Sequence, residues 1–176
     1  QIGYIPVNMT IEDGMMGLTL DPNFDDNPWV YLYYAPADMG DQRLSRFTYT
    51  DGMLDLSSEV IMLEVPVQRE GCCHTGGSLA FGPDGSLFLS TGDNTVMFKP
   101  YAGAPMDNRP EYAFNDARRS SSNTADLRGK VLRIIPQADG TYTIPDDNLF
   151  PDGQDGRPEV YAMGMRNPYR ISVDQE

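Results

Sequence analysis

A short apolar stretch that ends at a proline occurs twice in the chain, and this repeat constrains the fold most. Residues 17–22 read Gly-Leu-Thr-Leu-Asp-Pro and residues 78–83 read Ser-Leu-Ala-Phe-Gly-Pro, with a looser third echo at 170–174. Aromatic and β-branched residues, which favour strands, fill further short stretches between the echoes. We predict strands at 18–21, 29–35, 43–50, 60–67, 78–81, 87–90, 129–135 and 159–163. Repeats of about 40–60 residues that each hold a four-stranded sheet are typical of a β-propeller.

The chain is therefore expected to be all-β and to form part of a propeller. One blade covers about residues 17–67, a second covers about 78–164, and residues 168–176 begin the next blade. The second blade carries an insertion at 95–128 without strand periodicity. Such long loops are often functional, and the alternative is a disordered surface loop. Because a partial propeller leaves blade faces open, we expect residues 1–176 to be a piece of a longer chain that packs against the remaining blades or partner chains.

The charge balance and the hydropathy exclude two kinds of partner. The chain carries 26 Asp and Glu against 13 Lys and Arg, a formal net charge of −13 at pH 7. Binding a polyanion requires clustered Lys or Arg, so we expect no nucleic-acid partner. No apolar run approaches the roughly 20 residues that a membrane-spanning helix needs, so we expect no membrane-spanning segment.

Reactive side chains flank one predicted hairpin. The only histidine, His74, stands before the strand at 78–81, and Asp93 follows the strand at 87–90. A Gly-Pro-Asp-Gly turn joins the two strands. An antiparallel hairpin brings the start of its first strand and the end of its second to the same edge of the sheet. We therefore expect His74 and Asp93 to be neighbours in space.

Four sequence blocks carry a resemblance to a known family. They are Cys72-Cys73-His74-Thr75-Gly76-Gly77-Ser78-Leu79, Ser90-Thr91-Gly92-Asp93-Asn94, Leu127-Arg128-Gly129-Lys130-Val131-Leu132-Arg133-Ile134 and Gly164-Met165-Arg166-Asn167-Pro168. Together they resemble the glucose/sorbosone dehydrogenase family of soluble sugar dehydrogenases that use pyrroloquinoline quinone (PQQ), and in particular its secreted branch with Cys-Cys before the histidine. The resemblance implies a six-bladed propeller, of which this chain holds about two blades plus the edges of their neighbours. It also implies a secreted or periplasmic location.

The resemblance gives roles to residues in these blocks. Removing a hydride from a sugar requires a base for the hydroxyl proton, and His74 matches that base; the alternative is a structural histidine that caps a strand. Asp93 would fix the imidazole tautomer, and the alternative is an Asx-turn at 92–94. Arg166 would stabilise the negative charge that develops on the quinone, unless it pairs with a carboxylate. Asn167 would hydrogen-bond the cofactor.

Three further residues are expected to contact the substrate. Asp13 stands where the glucose-oxidising members carry a glutamine, and Cys73 stands where they carry an aspartate. Both positions face the sugar in those members, so the resemblance does not extend to glucose specificity. Asn94, which follows the candidate partner of the histidine, is the third expected substrate contact.

The adjacent cysteines Cys72 and Cys73 are predicted to form a vicinal disulfide. Neighbouring Cα atoms lie about 3.8 Å apart, below the usual disulfide range of about 4.4–6.8 Å, so the bridge would be strained and easily reduced. Such a bridge is flat and apolar, which suits a planar cofactor or a sugar ring. The alternative is two free thiols, but the family that the chain resembles is exported.

The resemblance favours a sugar dehydrogenase-like quinoprotein that oxidises an aldose-type hydroxyl. PQQ would accept the hydride, and Ca²⁺ would act on the cofactor as a Lewis acid, with ligands expected mainly outside this segment. The substrate would be a sugar or another small polyol. One alternative is a non-catalytic propeller that binds carbohydrate or protein partners. A less favoured one is a calcium-dependent lactonase, which needs a ring of carboxylates that we cannot assemble from this sequence.

Overall fold

The computed structural model describes residues 1–69, 73–96 and 106–175, and within them the chain forms two antiparallel sheets. The first sheet contains, in spatial order, β1 (Met15–Leu20), β2 (Trp29–Tyr34), β3 (Gln42–Thr50) and β4 (Met53–Val65). The second contains β5 (Gly76–Phe81), β6 (Leu87–Thr91), β7 (Lys130–Pro136), the short β8 (Tyr142–Thr143) at one end of β7, and β9 (Val160–Met163) beside β7. The first sheet is a four-stranded meander, and β5, β6, β7 and β9 are four adjacent antiparallel strands of the five-stranded second sheet, so the two sheets correspond to two blades of a β-propeller.

Strand β2 is buried on both of its faces, which explains its run of aromatic and aliphatic residues. Tyr31 and Tyr33 point into the core between the two sheets. Val30, Leu32 and Tyr34 alternate with them and point to the opposite face. The N-terminal segment covers that opposite face with the side chains of Ile5 and Val7. The first blade therefore has a packed core on each side.

The two blades pack against each other through one apolar cluster. Its fully or almost fully buried members come from both sheets and from the insertion: Tyr31, Tyr33, Leu44, Met62, Leu63, Val65, Leu87, Leu89, Leu127, Leu132, Ile134 and Val160. Two glycines let the edge strands β1 and β5 of the two sheets approach each other. A Cβ on Gly17 would lie 2.1 Å from the Gly77 carbonyl oxygen, and one on Gly77 would lie 2.3 Å from the Met16 Cβ. Larger residues at either position would force the blades apart.

Arg46 on β3 links the two blades with its guanidinium group. Nη1 donates to the Gln137 carbonyl at 2.7 Å and Nη2 donates to the Ala138 carbonyl at 3.1 Å. The same group lies 4.1 Å from the centre of the Trp29 ring, within the range of a cation–π interaction. The side chain is buried, so three interactions hold one cation at the blade interface.

The predicted all-β fold and partial propeller are confirmed, with differences at the edges of elements. β4 begins at Met53, well before the predicted start at residue 60, because Asp51 and Gly52 (φ 50° and 81°) form a tight turn that leads directly from β3 into β4. Residues 168–175 form no strand; the Ile171 amide donates instead to the Ser78 hydroxyl at 3.2 Å. Their place in a following blade stays a prediction.

The insertion at 95–128 contains no strand in its described part. Its regular structure there consists of two short 3-10 turns at Pro110–Asn115 and Ala117–Arg119. Residues 97–105 of the insertion lie outside the described residues. Nowhere in the described ranges is there a helix long and apolar enough to cross a membrane.

Candidate active site

The β5–β6 hairpin brings His74 and Asp93 into direct contact, as predicted from their positions. His74 Nδ1 lies 2.8 Å from Asp93 Oδ1, and the two residues are 1% and 2% exposed. The Thr95 hydroxyl lies 3.1 Å from the same ring nitrogen and 2.9 Å from the same carboxylate oxygen. An ionised carboxylate only accepts hydrogen bonds, so we assign the imidazole proton to Nδ1. The lone pair is then on Nε2, which is buried and has no partner in the described part of the chain.

The two loops that carry this pair touch each other through their backbones. Cys73, His74 and Asn94 all have left-handed φ values, 109°, 56° and 55°. The Asn94 amide donates to the His74 carbonyl at 3.2 Å. A Cβ at Gly92 would lie 1.8 Å from the same carbonyl oxygen. Only glycine at position 92 permits this approach, so the pair depends on local backbone strain as well as on side-chain contacts.

Glu12, in the loop before β1, joins the histidine loop to a third segment. Its Oε2 accepts the His74 amide at 2.7 Å and the Thr75 amide at 3.4 Å. The same oxygen accepts Asn167 Nδ2 at 3.3 Å. The Glu12 carbonyl accepts the Thr75 hydroxyl at 3.1 Å. We did not predict a role for Glu12, and its one sequence signal is that it directly precedes the expected substrate residue Asp13.

Arg166 and Asn167 follow β9 and lie beside the histidine loop. The Asn167 side chain connects Glu12 to the hairpin, because its Oδ1 accepts the Gly76 amide at 3.0 Å. The Arg166 carbonyl accepts the Asp93 amide at 2.8 Å. The Arg166 guanidinium is exposed and makes no ion pair with a carboxylate of the described residues. The contacts of these side chains with a cofactor stay predictions.

Asp13 is tied into a polar network at the edge of the site. Its carboxylate, 7% exposed, pairs with Arg69 at 2.5 Å and accepts Asn8 Nδ2 at 2.9 Å and Gln42 Nε2 at 3.1 Å. Gln42 in turn accepts the Tyr33 hydroxyl at 2.7 Å. Burial, with the nearby aspartates adding to it, raises the pKa of Tyr33, so that its hydroxyl stays a donor. Any ligand at Asp13 must therefore compete with these existing partners.

The three expected substrate residues line one small cavity of about 60 Å³ next to the histidine loop. The residues that line it are Thr10, Glu12, Asp13, Met39, Gln68, Arg69, Cys73, Thr75 and Asn94. Asn94 is buried, and its Oδ1 accepts the Gln68 amide at 2.7 Å. Contact between these residues and a substrate is untested. Cys72 lies outside the described residues, so the Cys72–Cys73 bridge also stays a prediction.

Lys130, at the start of β7, fastens the insertion to the second blade. Its buried Nζ donates to the carbonyls of Ser120 (2.7 Å), Ser121 (3.1 Å) and Arg128 (2.8 Å). Desolvation by burial lowers the pKa of Lys130 to about 8. The Ser121 carbonyl also accepts the Gly164 amide at 2.9 Å, so these hydrogen bonds also connect Lys130 to the segment that carries Arg166. Sequence reasoning placed Lys130 in a strand and did not predict this function.

The architecture and the buried pair define a class of protein: a partial β-propeller with a histidine–carboxylate pair at one end of a blade. The chain belongs to the glucose/sorbosone dehydrogenase family, whose model matches residues 2–176. The resemblance found in the four sequence blocks is thereby confirmed.

Individual relatives show how the family varies. The HIPL2 protein of Arabidopsis thaliana is 33% identical over 113 residues, which cover 57% of this chain and 14% of that protein. The Hedgehog-interacting protein of Homo sapiens is 28% identical over 178 residues, covering 93% of this chain and 23% of that protein. The structure of the PQQ-bound aldose sugar dehydrogenase from Streptomyces coelicolor matches with a TM-score of 0.62 at 27% identity, covering 94% of this chain and 41% of that one. The chain thus spans less than half of each of these proteins.

Proposed function

We propose that the protein containing this chain is a sugar dehydrogenase-like quinoprotein that oxidises an aldose-type hydroxyl with hydride transfer to PQQ. Membership of the glucose/sorbosone dehydrogenase family supports this activity at a coarse level. The observation that carries the proposal is the state of His74: Nδ1 is committed to Asp93, while the buried Nε2 has no partner among the described residues. A neutral imidazole in this tautomer is a proton acceptor at Nε2.

His74 is the proposed general base. Its Nε2 takes the proton of the sugar hydroxyl while the carbon that bears this hydroxyl gives up a hydride, so that a carbonyl group forms. Asp93, buried beside Nδ1, stabilises the imidazolium that results. General base catalysis of this kind contributes about 10²–10⁴-fold to a rate. Because the imidazole is 1% exposed, a sugar can reach Nε2 only after a local rearrangement of the groups that bury the ring.

The residues near His74 fit a bound anionic quinone. The Arg166 carbonyl accepts the Asp93 amide, the exposed Arg166 guanidinium makes no ion pair with a carboxylate in the described part of the chain, and Asn167 retains one amide hydrogen for a further bond. These two side chains would hold PQQ, which supplies the hydride acceptor when bound. The described residues contain no cluster of three or more His, Cys, Asp or Glu able to hold a metal. Calcium, if it takes part, requires ligands from elsewhere.

The second candidate is a non-catalytic propeller that binds carbohydrate or protein partners. One observation favours it: the Asp13 carboxylate, an expected sugar contact, is already paired with Arg69, Asn8 and Gln42. The similarity to Hedgehog-interacting protein, whose name describes a protein partner, points the same way. A calcium-dependent lactonase has no comparable support. For both main candidates we propose a secreted or periplasmic location, where the predicted Cys72–Cys73 bridge would persist.

The deciding experiment is reconstitution of the full-length protein with PQQ and calcium, followed by assays of aldoses with an artificial redox dye. We expect turnover, and we expect His74→Gln and Asp93→Asn each to lower kcat by at least about 10²-fold. Asp139→Asn is the matched control, because Asp139 is an exposed loop carboxylate whose side-chain hydrogen bonds within the described residues all go to Thr141 of its own turn. A protein that binds PQQ without oxidising any aldose would reject the dehydrogenase in favour of the binding module. A His74→Gln variant with full activity would reject His74 as the general base.

A further inference from the structure

We propose that Glu12 is a positioning residue that orients the His74 imidazole and the Asn167 amide at the same time. The proposal rests on the function proposed above. Its structural basis is one carboxylate oxygen, Glu12 Oε2, that accepts hydrogen bonds from two separate segments of the site.

The first of these segments is the strained histidine loop. Cys73 and His74 both have left-handed φ values, which non-glycine residues adopt only when surrounding contacts hold them. Glu12 Oε2 supplies such a contact, because it accepts the consecutive amides of His74 (2.7 Å) and Thr75 (3.4 Å). The His74 backbone sets the direction of its side chain toward Asp93. Losing the Glu12 contact therefore frees the ring to leave Asp93 and to change tautomer.

The second segment carries Asn167. Its Nδ2 donates to Glu12 Oε2 at 3.3 Å, and its Oδ1 accepts the Gly76 amide at 3.0 Å. Because the Glu12 carboxylate only accepts hydrogen bonds, it fixes the Asn167 amide with its nitrogen toward Glu12 and its oxygen toward Gly76. Without that acceptor the Asn167 amide can rotate, and the hydrogen proposed for the cofactor changes its direction. Arg166 is the adjacent residue, so the disturbance extends to the proposed cofactor cation.

Two substitutions distinguish the effect of the length of the Glu12 side chain from the effect of its charge. All the bonds to the Glu12 carboxylate that involve described residues use Oε2. Glu12→Gln can therefore keep an acceptor oxygen at the same place while it loses the charge. Glu12→Asp keeps the charge but withdraws the carboxylate by one methylene group. A positioning role predicts that Gln works and Asp fails, whereas a purely electrostatic role predicts the opposite.

The test uses the full-length protein and two readouts. The first is the ¹⁵N spectrum of the His74 ring without cofactor, with the signals assigned by their loss in His74→Gln. We expect the wild type and Glu12→Gln to show a single Nδ1-protonated tautomer. In Glu12→Asp and Glu12→Met we expect the two nitrogen signals to move toward each other as tautomers exchange. Glu64→Met is the matched control, because Glu64 is exposed on β4 and pairs with Arg43 on the surface.

The second readout is steady-state kinetics of the reconstituted protein. A displacement of about 1 Å at a reacting group can cost about 10²-fold in rate, so we expect kcat to fall about 10–100-fold in Glu12→Asp and Glu12→Met, with KM changed less than about threefold. Glu12→Gln should stay within about threefold of the wild type. If the wild type shows no turnover, the dehydrogenase proposal fails and the nitrogen spectrum alone decides about Glu12. Wild-type nitrogen signals in Glu12→Asp, or Glu12→Gln signals that resemble those of Glu12→Met, would overturn the positioning role.

Discussion

Gly92→Ala should disrupt the candidate site more than any other change of one methyl group. In the native structure a Cβ at position 92 would lie 1.8 Å from the His74 carbonyl oxygen and 2.2 Å from its carbonyl carbon. Ordinary contacts of a Cβ begin at 3.4 Å, so the two loops must separate by roughly 1.5 Å. The opposing atoms are backbone and cannot rotate away as a side chain would. Overpacking costs about 1–3 kcal/mol, and this rigid contact places Gly92→Ala at or above the upper value.

The assay is urea unfolding of the full-length protein, with the free energy of unfolding obtained by linear extrapolation. The control is Gly85→Ala in the β5–β6 turn. Gly85 has φ +79° and nothing within 4 Å of its Cβ position, so the substitution adds backbone strain of about 1–2 kcal/mol without a clash. We also expect Gly92→Ala to broaden or shift the His74 ring signals, because the loops that hold His74 and Asp93 separate. A Gly92→Ala variant within about 1 kcal/mol of the wild type, with unchanged His74 signals, would refute the close-approach argument.

Four further predictions follow from other parts of the chain. Burial lowers the pKa of Lys130 to about 8, so between pH 8 and 9.5 the unfolded state binds more protons than the native state. The free energy of unfolding should therefore rise by up to about 2 kcal/mol over this range in the wild type but not in Lys130→Met. A flat wild-type profile would contradict this. Arg46→Met should lower the free energy of unfolding by about 2–4 kcal/mol, because it removes two charged hydrogen bonds and the stack on Trp29, while the exposed Arg170→Met should change it by less than about 0.5 kcal/mol. Non-reducing mass spectrometry should find the Cys72–Cys73 peptide two hydrogens lighter than its reduced form, and alkylation of both thiols without reduction would exclude the bridge. Residues 1–176 expressed alone should associate, because the edge strand β1 exposes Met15, Leu18 and Leu20, and a monodisperse, cooperatively melting monomer would show this expectation wrong.

The sequence predicted strands best where apolar and aromatic residues are dense. β2 and β7 each lie between other strands of their sheets, and the apolar residues that favour a strand there are also the residues that the core buries. The first half of β4 was missed because Asp55, Ser57 and Ser58 favour turns. That half pairs with β3 because the tight turn at 51–52 fixes the register, and the Ser58 hydroxyl even accepts the Thr48 amide at 2.7 Å. Tertiary pairing overrides local propensity there.

The candidate site was only partly predictable, for a related reason. The contact between His74 and Asp93 follows from hairpin geometry, which a sequence displays directly. Glu12 lies far from His74 in sequence, and its bond to the His74 amide depends on how β1 packs beside β5. Thr95 was read as the start of the insertion, although its hydroxyl completes the pair. Contacts between residues that blade packing brings together leave no local pattern in the sequence, whereas contacts across a single hairpin can be read from the strands and the turn.

The division between structural and free polar groups in this chain is compatible with either of the two functions proposed above. Blade packing depends on Gly17, Gly77 and Arg46, and none of these belongs to the His74 pair. Within the candidate site, Asp93 and Glu12 already have partners on the chain. The Nε2 atom of His74 and the guanidinium of Arg166 have none among the described residues. Substituting these two groups would therefore leave intact the contacts that hold the blades together. Substitution of Arg166 should change turnover with little change in the free energy of unfolding, whereas His74→Gln also removes the partner of the buried Asp93 and should lower the free energy of unfolding by about 1–3 kcal/mol. A large loss of stability in Arg166→Met would mean that Arg166 is structural.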